Sequence, residues 1–511
     1  MKRLIGVLCI VGIIIGLVSC GSDQELSTTE TQPIASTVSS TTATIAESTS
    51  AQTTASELQV TTAATTAVST TESTTSAQPA THVKGVFDED RIVFSFAAIS
   101  DTHTSLPGNT LKDTGEKTAK ALSVLKKWAL KNDADGLDAV IHVGDIVNSH
   151  NKDNINLFKK IYDENFDVEK VPLVYCLGDG HDLTWSADAT AWIADYTTIF
   201  GSSYYLYDVA QELIADGNRH CVINGYHFIA LEPVSRSPIT YDAKTKEWFD
   251  RTLSDITSED PDAYVFVLTH PMITNTAYGS DLGDSWATSD LTDILSKYPQ
   301  VIIFGGHLHY PINDERSIMQ TNFTAIGCGA VFYTCVETEV AGSAITLTDE
   351  TNQGLLVQLD NDGDVRITRI DFENDMEIKT AWELSAPMAD GSHLTRYSQK
   401  RGDDNTAPSF AEDATIEIIP GNMRKVRMVA TAATDDDMVH HYILKVTDVA
   451  SQKTTVTRQE AEYYLYSDIS SISETIEFRM NLDTGKEYLF ELYAYDSWGA
   501  ISDPLTLTYQ R

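Results

Sequence analysis

The chain has 511 residues, 42% of them apolar, and a formal net charge of −38. That length exceeds what one ordinary core organises and predicts two or three domains. The charge excludes broad, sequence-independent binding to nucleic acid and a polybasic membrane patch, since nothing would neutralise the phosphates.

In chain order, Lys2 and Arg3 precede the apolar run from Leu4 to Val18, the layout of a secretory signal. The run closes on "LVSC", which resembles a bacterial lipobox, so residues 1–20 are read as a lipoprotein signal peptide with Cys20 carrying the lipid. A non-lipidated signal or an N-terminal membrane anchor is the alternative. Several acyl chains on Cys20 would give stable anchoring where one would not. The expected address is extracytoplasmic, on the bacterial cell membrane. Residues 21–84 are almost entirely Ser, Thr, Ala, Gln and Glu, as in "STTATIAESTSAQTTAS". Such a segment has too few large apolar groups to offset the entropy of folding, and is expected to be a disordered tether.

Residues 85–372 alternate strand and helix patterns. "RIVFSFAAIS" reads as a buried strand, "TGEKTAKALSVLKKWALK" as a helix, "LDAVIHVGD" as a strand, and Asp153–Tyr162 as a polar helix. Next come the strand "VPLVYCLGD", the helix "SADATAWIADYTTIF" and a hairpin in "NRHCVINGYHFIALEP" turning at Asn224-Gly225. The helix "DAKTKEWFDRTLSDI", the strand "AYVFVLTHP", the helix "SDLTDILSKYP" and the strand "QVIIFGGHLH" follow, and then strands alone through Ile370. This order predicts an α/β fold, a two-sheet β-sandwich flanked by helices. Residues 373–405 read as a connecting strap, and 406–511 as an all-β sandwich with strands at "TIEII", "KVRMVATA", "HHYILKV", "TIEFRM" and "YLFELYAYD". There Leu482, Gly485, Tyr488, Phe490, Ala494, Asp496 and Gly499 resemble the end of a fibronectin type III domain, a pattern an unrelated immunoglobulin-like sandwich shares. Cys176, Cys221, Cys328 and Cys335 are expected as buried thiols; a Cys328–Cys335 disulfide is allowed but not required.

The chemistry is concentrated at strand ends. "SDTH" places Asp101 and His103, "VGDIV" places Asp145, and "LGDGHD" places Asp179, His181 and Asp182. "LTHP" places His270, and "GGHLH" places His307 and His309. An open α/β sheet builds its site at such ends. Trp185, Asp284 and Trp286 are candidate pocket residues as well as candidate packing or capping residues. His142 and His227 read as structural, "DNDGD" (Asp360–Asp364) as a hairpin turn rather than a calcium loop, and His440 and His441 as neighbours pointing to opposite faces of a strand.

The ordered set resembles the calcineurin-like metallophosphoesterases, with their Asp-x-His, Gly-Asp, Gly-Asn-His-Asp/Glu, His and Gly-His-x-His motifs. The likeness covers roughly Arg91 to Asp371. It implies two divalent ions (Mn, Zn or Fe) and attack on a phosphate mono- or diester by the water or hydroxide they activate. Asp101, His103 and His309 would hold one ion, His270 and His307 the other, and Asp145 would bridge them. His181 would assist the leaving group, with Asp182 fixing its ring. The family's Asn ligand is missing from "GDGHD", so either Gly180 replaces it or Asp179 supplies the oxygen. Alternative readings are a cyclic-nucleotide or glycerophosphodiester phosphodiesterase, and a surface binding protein whose metal site has decayed. The C-terminal sandwich is expected to bind glycan or protein, to pack on the catalytic unit or to act as a spacer.

Overall fold

The structure is a computed structural model describing residues 86–107, 114–133, 135–178, 180–183, 189–201, 217–283, 285–337, 344–348, 351–467 and 471–511. The leader, Cys20 and the whole Ser/Thr-rich segment, residues 21–84, lie outside these residues.

Two sheets face each other. The first runs Met376–Glu377, Val365–Asp371, Gln353–Asp360, Ile92–Ile99, Ala139–Val143, Leu173–Cys176, and Trp382–Leu384 also pairs with Val365–Asp371. The second runs Ile318–Gln320, Thr324–Gly327, Val301–Gly305, Val265–Thr269, Tyr226–Leu231, Arg219–Ile223. Because successive side chains of a strand point to opposite faces, Phe94, Phe96 and Ala98 enter the core between the sheets while Ala97 and Ile99 pack outward. Phe228, Phe266 and Phe304 meet Phe96 at centroid distances of 5.5, 4.8 and 5.9 Å. The outer faces are covered by helices Thr114–Asn132, Lys152–Asn165 and Ala189–Phe200 on one side, and by Ala243–Glu259 on the other. Strands buried on both faces read as continuous apolar runs, which is why "VIIF" and "YVFVLT" show no alternation.

Three local expectations change. The helix over "SDLTDILSKYP" shrinks to Thr292–Leu295, continued by three-residue turns (Lys297 N to Ile294 O, Tyr298 N to Leu295 O) until Pro299 stops it. The strap does more than connect: Met376–Glu377 and Trp382–Leu384 join the edge of the first sheet, and Ile378 and Trp382 enter its core. The C-terminal region holds two strands the pattern did not signal, Lys453–Glu460 and Leu505–Gln510. The first is mostly solvent-facing and the second alternates exposed and half-buried positions, so neither has a run of large apolar residues to announce it. That region is a three-stranded sheet (Ile416–Pro420, Lys425–Thr431, Thr475–Asn481) against a four-stranded one (Lys453–Glu460, Val439–Asp448, Glu487–Asp496, Leu505–Gln510).

The "DNDGD" segment is the turn between Gln353–Asp360 and Val365–Asp371, with Asp360 Oδ1 accepting from the Asp362 and Asp364 amides at 2.9 Å each. The four cysteines of the described residues are buried free thiols. No helix among the described residues is long and apolar enough to cross a membrane.

Trp382 ties the strap to the sheet. Its ring lies 4.4 Å below the Arg369 guanidinium, and its indole N–H donates to Glu315 at 2.9 Å. Trp382→Ala is expected to cost about 3–5 kcal/mol of stability, read as a lowered urea midpoint.

Candidate metal centre

The parallel strands Ile92–Ile99, Ala139–Val143 and Leu173–Cys176 of the first sheet, and Val265–Thr269 and Val301–Gly305 of the second, deliver their following loops to one edge. Those loops cross-link: Asp101 N donates to Gly144 O at 3.0 Å, His103 N to Asp145 O at 2.9 Å, and Gly306 N to His270 O at 2.9 Å. Five residues there hold left-handed backbone: Asp101 (φ 54°), His103 (44°), Asp145 (50°), His307 (66°) and His309 (54°). Each such non-glycine residue costs about 1–2 kcal/mol, a strain that persists where surrounding structure imposes it and clusters at functional sites.

The side chains fall into two groups that share one residue. Asp101, His103, Asp145 and His309 form the first; Asp145, His270 and His307 form the second. In the first, His309 Nε2 lies 3.0 Å from Asp101 Oδ1 and 3.2 Å from His103 Nε2. Asp145 Oδ2 stands between the groups, 3.8 Å from His103 Nε2 and 3.5 Å from His270 Nε2. His181 Nε2 is 4.0 Å from the same oxygen; its side chain is 41% exposed, whereas those of Asp101, His103, Asp145 and His270 are at most 3% exposed, so His181 alone of these meets solvent.

Hydrogen bonds settle which ring nitrogen faces the centre. A carbonyl only accepts, so the nitrogen bonded to it carries the proton. His270 Nδ1 donates to Val143 O at 2.8 Å and His309 Nδ1 to Tyr333 O at 3.0 Å, so their Nε2 lone pairs face inward. His307 is reversed: its Nε2 donates to Ser285 O at 3.1 Å. Such outer partners orient metal-binding imidazoles. The His307 amide donates to Asp101 Oδ2 at 3.0 Å, with the Ser100 hydroxyl on the same oxygen, leaving Asp101 Oδ1 to the centre.

Burial pushes the His103 imidazole down to about 3, so it is neutral at any ordinary pH. Burial alone would raise the Asp101 and Asp145 carboxyls. For Asp101 the His309 ring, and for Asp145 the His270 ring, outweigh it and hold both below the usual range. The donor set is therefore two carboxylates and four imidazoles, with Asp145 Oδ1 buried and making no hydrogen bond. Packing lone pairs and anionic oxygens this closely away from water fits cations, and imidazole with carboxylate suits borderline divalent metals. Two glycines make the room. A Cβ at Gly178 would fall 1.8 Å from Asp145 Oδ1, and one at Gly306 would fall 1.8 Å from Ser100 Oγ.

The structure leaves other candidates elsewhere. Asp182 does not orient His181: its carboxylate accepts from the amides of Ile146, Val147 and Gly178 at 2.9, 2.9 and 2.8 Å and from the Tyr196 hydroxyl. The His181 ring is held instead by its Nδ1 donating to Asn148 O at 2.6 Å. Asp182 thus knits the second and third motif loops together, and burial followed by the charge of Asp145 raises its carboxyl to about 6. Asp179, Trp185 and Asp284 lie outside the described residues. Trp286 stands beside His307, centroids 5.1 Å apart. His142 bonds Thr102 Oγ1 at 3.0 Å and His227 bonds His220 at 3.0 Å, both apart from the two groups.

Arg236 was not signalled by any motif. It lies on the short hairpin Ser235–Arg236/Ile239–Thr240, and a Cβ at Gly180 would meet its guanidinium at 3.1 Å. Ser237 and Ser285 share a 2.9 Å hydroxyl contact that joins this hairpin to the loop of Trp286. The only clue in the sequence is a cation just beyond a core strand.

The calcineurin-like phosphoesterase profile matches residues 94–311. A dimetal phosphatase from Danio rerio is similar in structure at 12% identity and TM-score 0.39, covering 58% of this chain and 99% of its own. A purple acid phosphatase from yellow lupin seeds is similar at 11% identity and TM-score 0.38, covering 58% of this chain and 55% of its own. A fibronectin type III domain of human collagen XX is similar at 14% identity and TM-score 0.15 over 20% of this chain and 94% of its own. No curated protein matches the sequence significantly. Residues 94–311, which contain every residue of both ligand groups, match that profile, so the chain carries a calcineurin-like phosphoesterase domain, the domain of a hydrolase.

Proposed function

We propose that the protein hydrolyses phosphate monoesters or diesters at this centre, and that Asp101, His103 and His309 hold one divalent ion, His270 and His307 a second, with Asp145 shared. The observation that carries the reading is that one buried carboxylate belongs to both ligand groups. Two such ions supply Lewis acidity toward the phosphoryl oxygens and ionise water near neutral pH. Manganese, zinc and iron all suit the donors. The remaining ligand of the second ion is Asp179 or is lost at Gly180.

The chain's own groups supply the rest. His181, its Nδ1 proton held by Asn148, presents Nε2 at the open mouth, where it donates a proton to the departing alkoxide. Arg236 fills the space beside Gly180 where the family has a side chain, and its planar fork pairs with phosphate oxygens. Trp286 forms the adjoining rim. Lipid on Cys20 and the Ser/Thr-rich tether would hold this chemistry outside the cell membrane, a reading supported by the "LVSC" ending of the leader.

Asp145→Asn is expected to lower both metal content and kcat/KM by at least about 100-fold on p-nitrophenyl phosphate or bis(p-nitrophenyl) phosphate; metal-replete protein inert toward both esters would overturn the reading. His181→Ala is expected to lower kcat about 10²–10⁴-fold on alkyl esters and less on nitrophenyl esters, whose leaving group needs no proton. Arg236→Ala is expected to raise KM about tenfold or more with a smaller change in kcat, from loss of a charge-assisted hydrogen bond. In cells fed labelled fatty acid, the protein is expected to take up label and the Cys20→Ser variant none.

A further inference from the structure

A second cluster of metal-binding side chains lies on the C-terminal sandwich. His440 and His441 are consecutive in the strand Val439–Asp448, and regular alternation would send them to opposite faces. The pairing with Glu487–Asp496 is irregular there: Val439 faces Asp496 and His441 faces Tyr495, two steps on one strand against one on the other. His440 is the extra residue of a β-bulge, and a bulge re-aims side chains. The two Nδ1 atoms consequently lie 3.0 Å apart. On the neighbouring strand Glu460 sits directly opposite His441, and its Oε2 is 3.8 Å from His440 Nδ1. All three donors lie within 4.8 Å of one another.

We propose that His440, His441 and Glu460 form a separate divalent-metal site, of the zinc, nickel or cobalt class. Two nitrogens bound tetrahedrally to zinc at 2.0–2.1 Å stand about 3.3 Å apart, so the 3.0 and 3.8 Å separations need only a few tenths of an ångström of adjustment. The surroundings match what a metal-binding triad requires of its outer partners. Buried His440 has its far nitrogen, Nε2, 2.8 Å from the Tyr278 hydroxyl; with the proton on Nε2, the Nδ1 lone pair faces His441 and Glu460. Arg458 Nε donates to Glu460 Oε1 at 2.8 Å and its Nη2 to Oε2 at 3.5 Å, orienting the carboxylate. The His441 ring stacks on Tyr495 at 4.6 Å and is half-buried, so the fourth position is open to water or an exogenous ligand.

The site sits on the seam with the phosphoesterase domain. Tyr278 belongs to the loop beyond His270, and its ring packs at 4.5 Å on Tyr310, the residue after His309. An ion on His440 therefore braces the sandwich against a loop that flanks the catalytic groups, without contributing to them. The inference is independent of the reading of the first centre.

The test is zinc content by elemental analysis, after equilibration and dialysis, on the full chain, on His441→Ala, on Asp145→Asn and on the double variant. His441→Ala is expected to lose one equivalent in both backgrounds. Zinc is expected to raise the thermal midpoint of Asp145→Asn but not of the double variant. Glu460→Gln gives the same reading should His441→Ala fail to fold for want of its stacking on Tyr495. Equal zinc with and without His441 in both backgrounds would reduce the 3.0 Å contact to an imidazole hydrogen bond. Loss confined to the background with Asp145 intact would place the ion at the strand-end centre and equally overturn the proposal.

Discussion

One buried carboxylate organises the catalytic half of the molecule. Asp145 Oδ2 is within 4.0 Å of three imidazoles from three different loops, those of His103, His181 and His270. An unpaired carboxylate in such a place would be expensive, so the loops, the glycines and the neighbouring rings all have to be as they are. Gly178 cannot carry a side chain without striking Asp145, and Asp182 pins the amides on either side. The sheets supply the rigid floor: a continuous aromatic core between them fixes the strand ends from which every ligand loop departs.

The price of that convergence is visible in the backbone. Left-handed conformation at five of the candidate ligands is affordable only because inter-loop hydrogen bonds and buried side chains determine each residue from several directions. These residues lie just beyond regular strands, where the chain is released from the ladder but not from the core. The site is a property of the sheet edge, with Arg236, Trp286 and His181 standing around it.

The C-terminal sandwich shows the same logic on a smaller scale. It is held to the phosphoesterase domain by Asn313 donating to Tyr466 O at 3.0 Å, by the Lys379–Asp437 ion pair, and by Val336 buried among Met438, Tyr463 and Tyr464. A single extra residue at His440 turns two side chains that a regular strand would separate into a convergent pair.

Much of this was legible in the residue order. The apolar runs marked the core strands, Asn224-Gly225 marked its hairpin, and Asp101, His103, Asp145, His270, His307 and His309 each followed a strand, because buried strands must be apolar and functional groups must sit where they end. Local pattern could not convey what depends on distant partners. The carboxylate of Asp182 turned to backbone amides rather than to the adjacent His181 because those amides, from the loop at Ile146 and Val147, are brought there only by folding. Arg236 reached Gly180 across a gap of more than fifty residues, the solvent-facing strand Lys453–Glu460 had no apolar signature, and the bulge at His440 arises because its neighbours Val439 and His441 pair with the consecutive residues Asp496 and Tyr495. Periodicity and motif spacing report the chemistry of one segment; side-chain direction and contact are set by register, and register belongs to two segments at once.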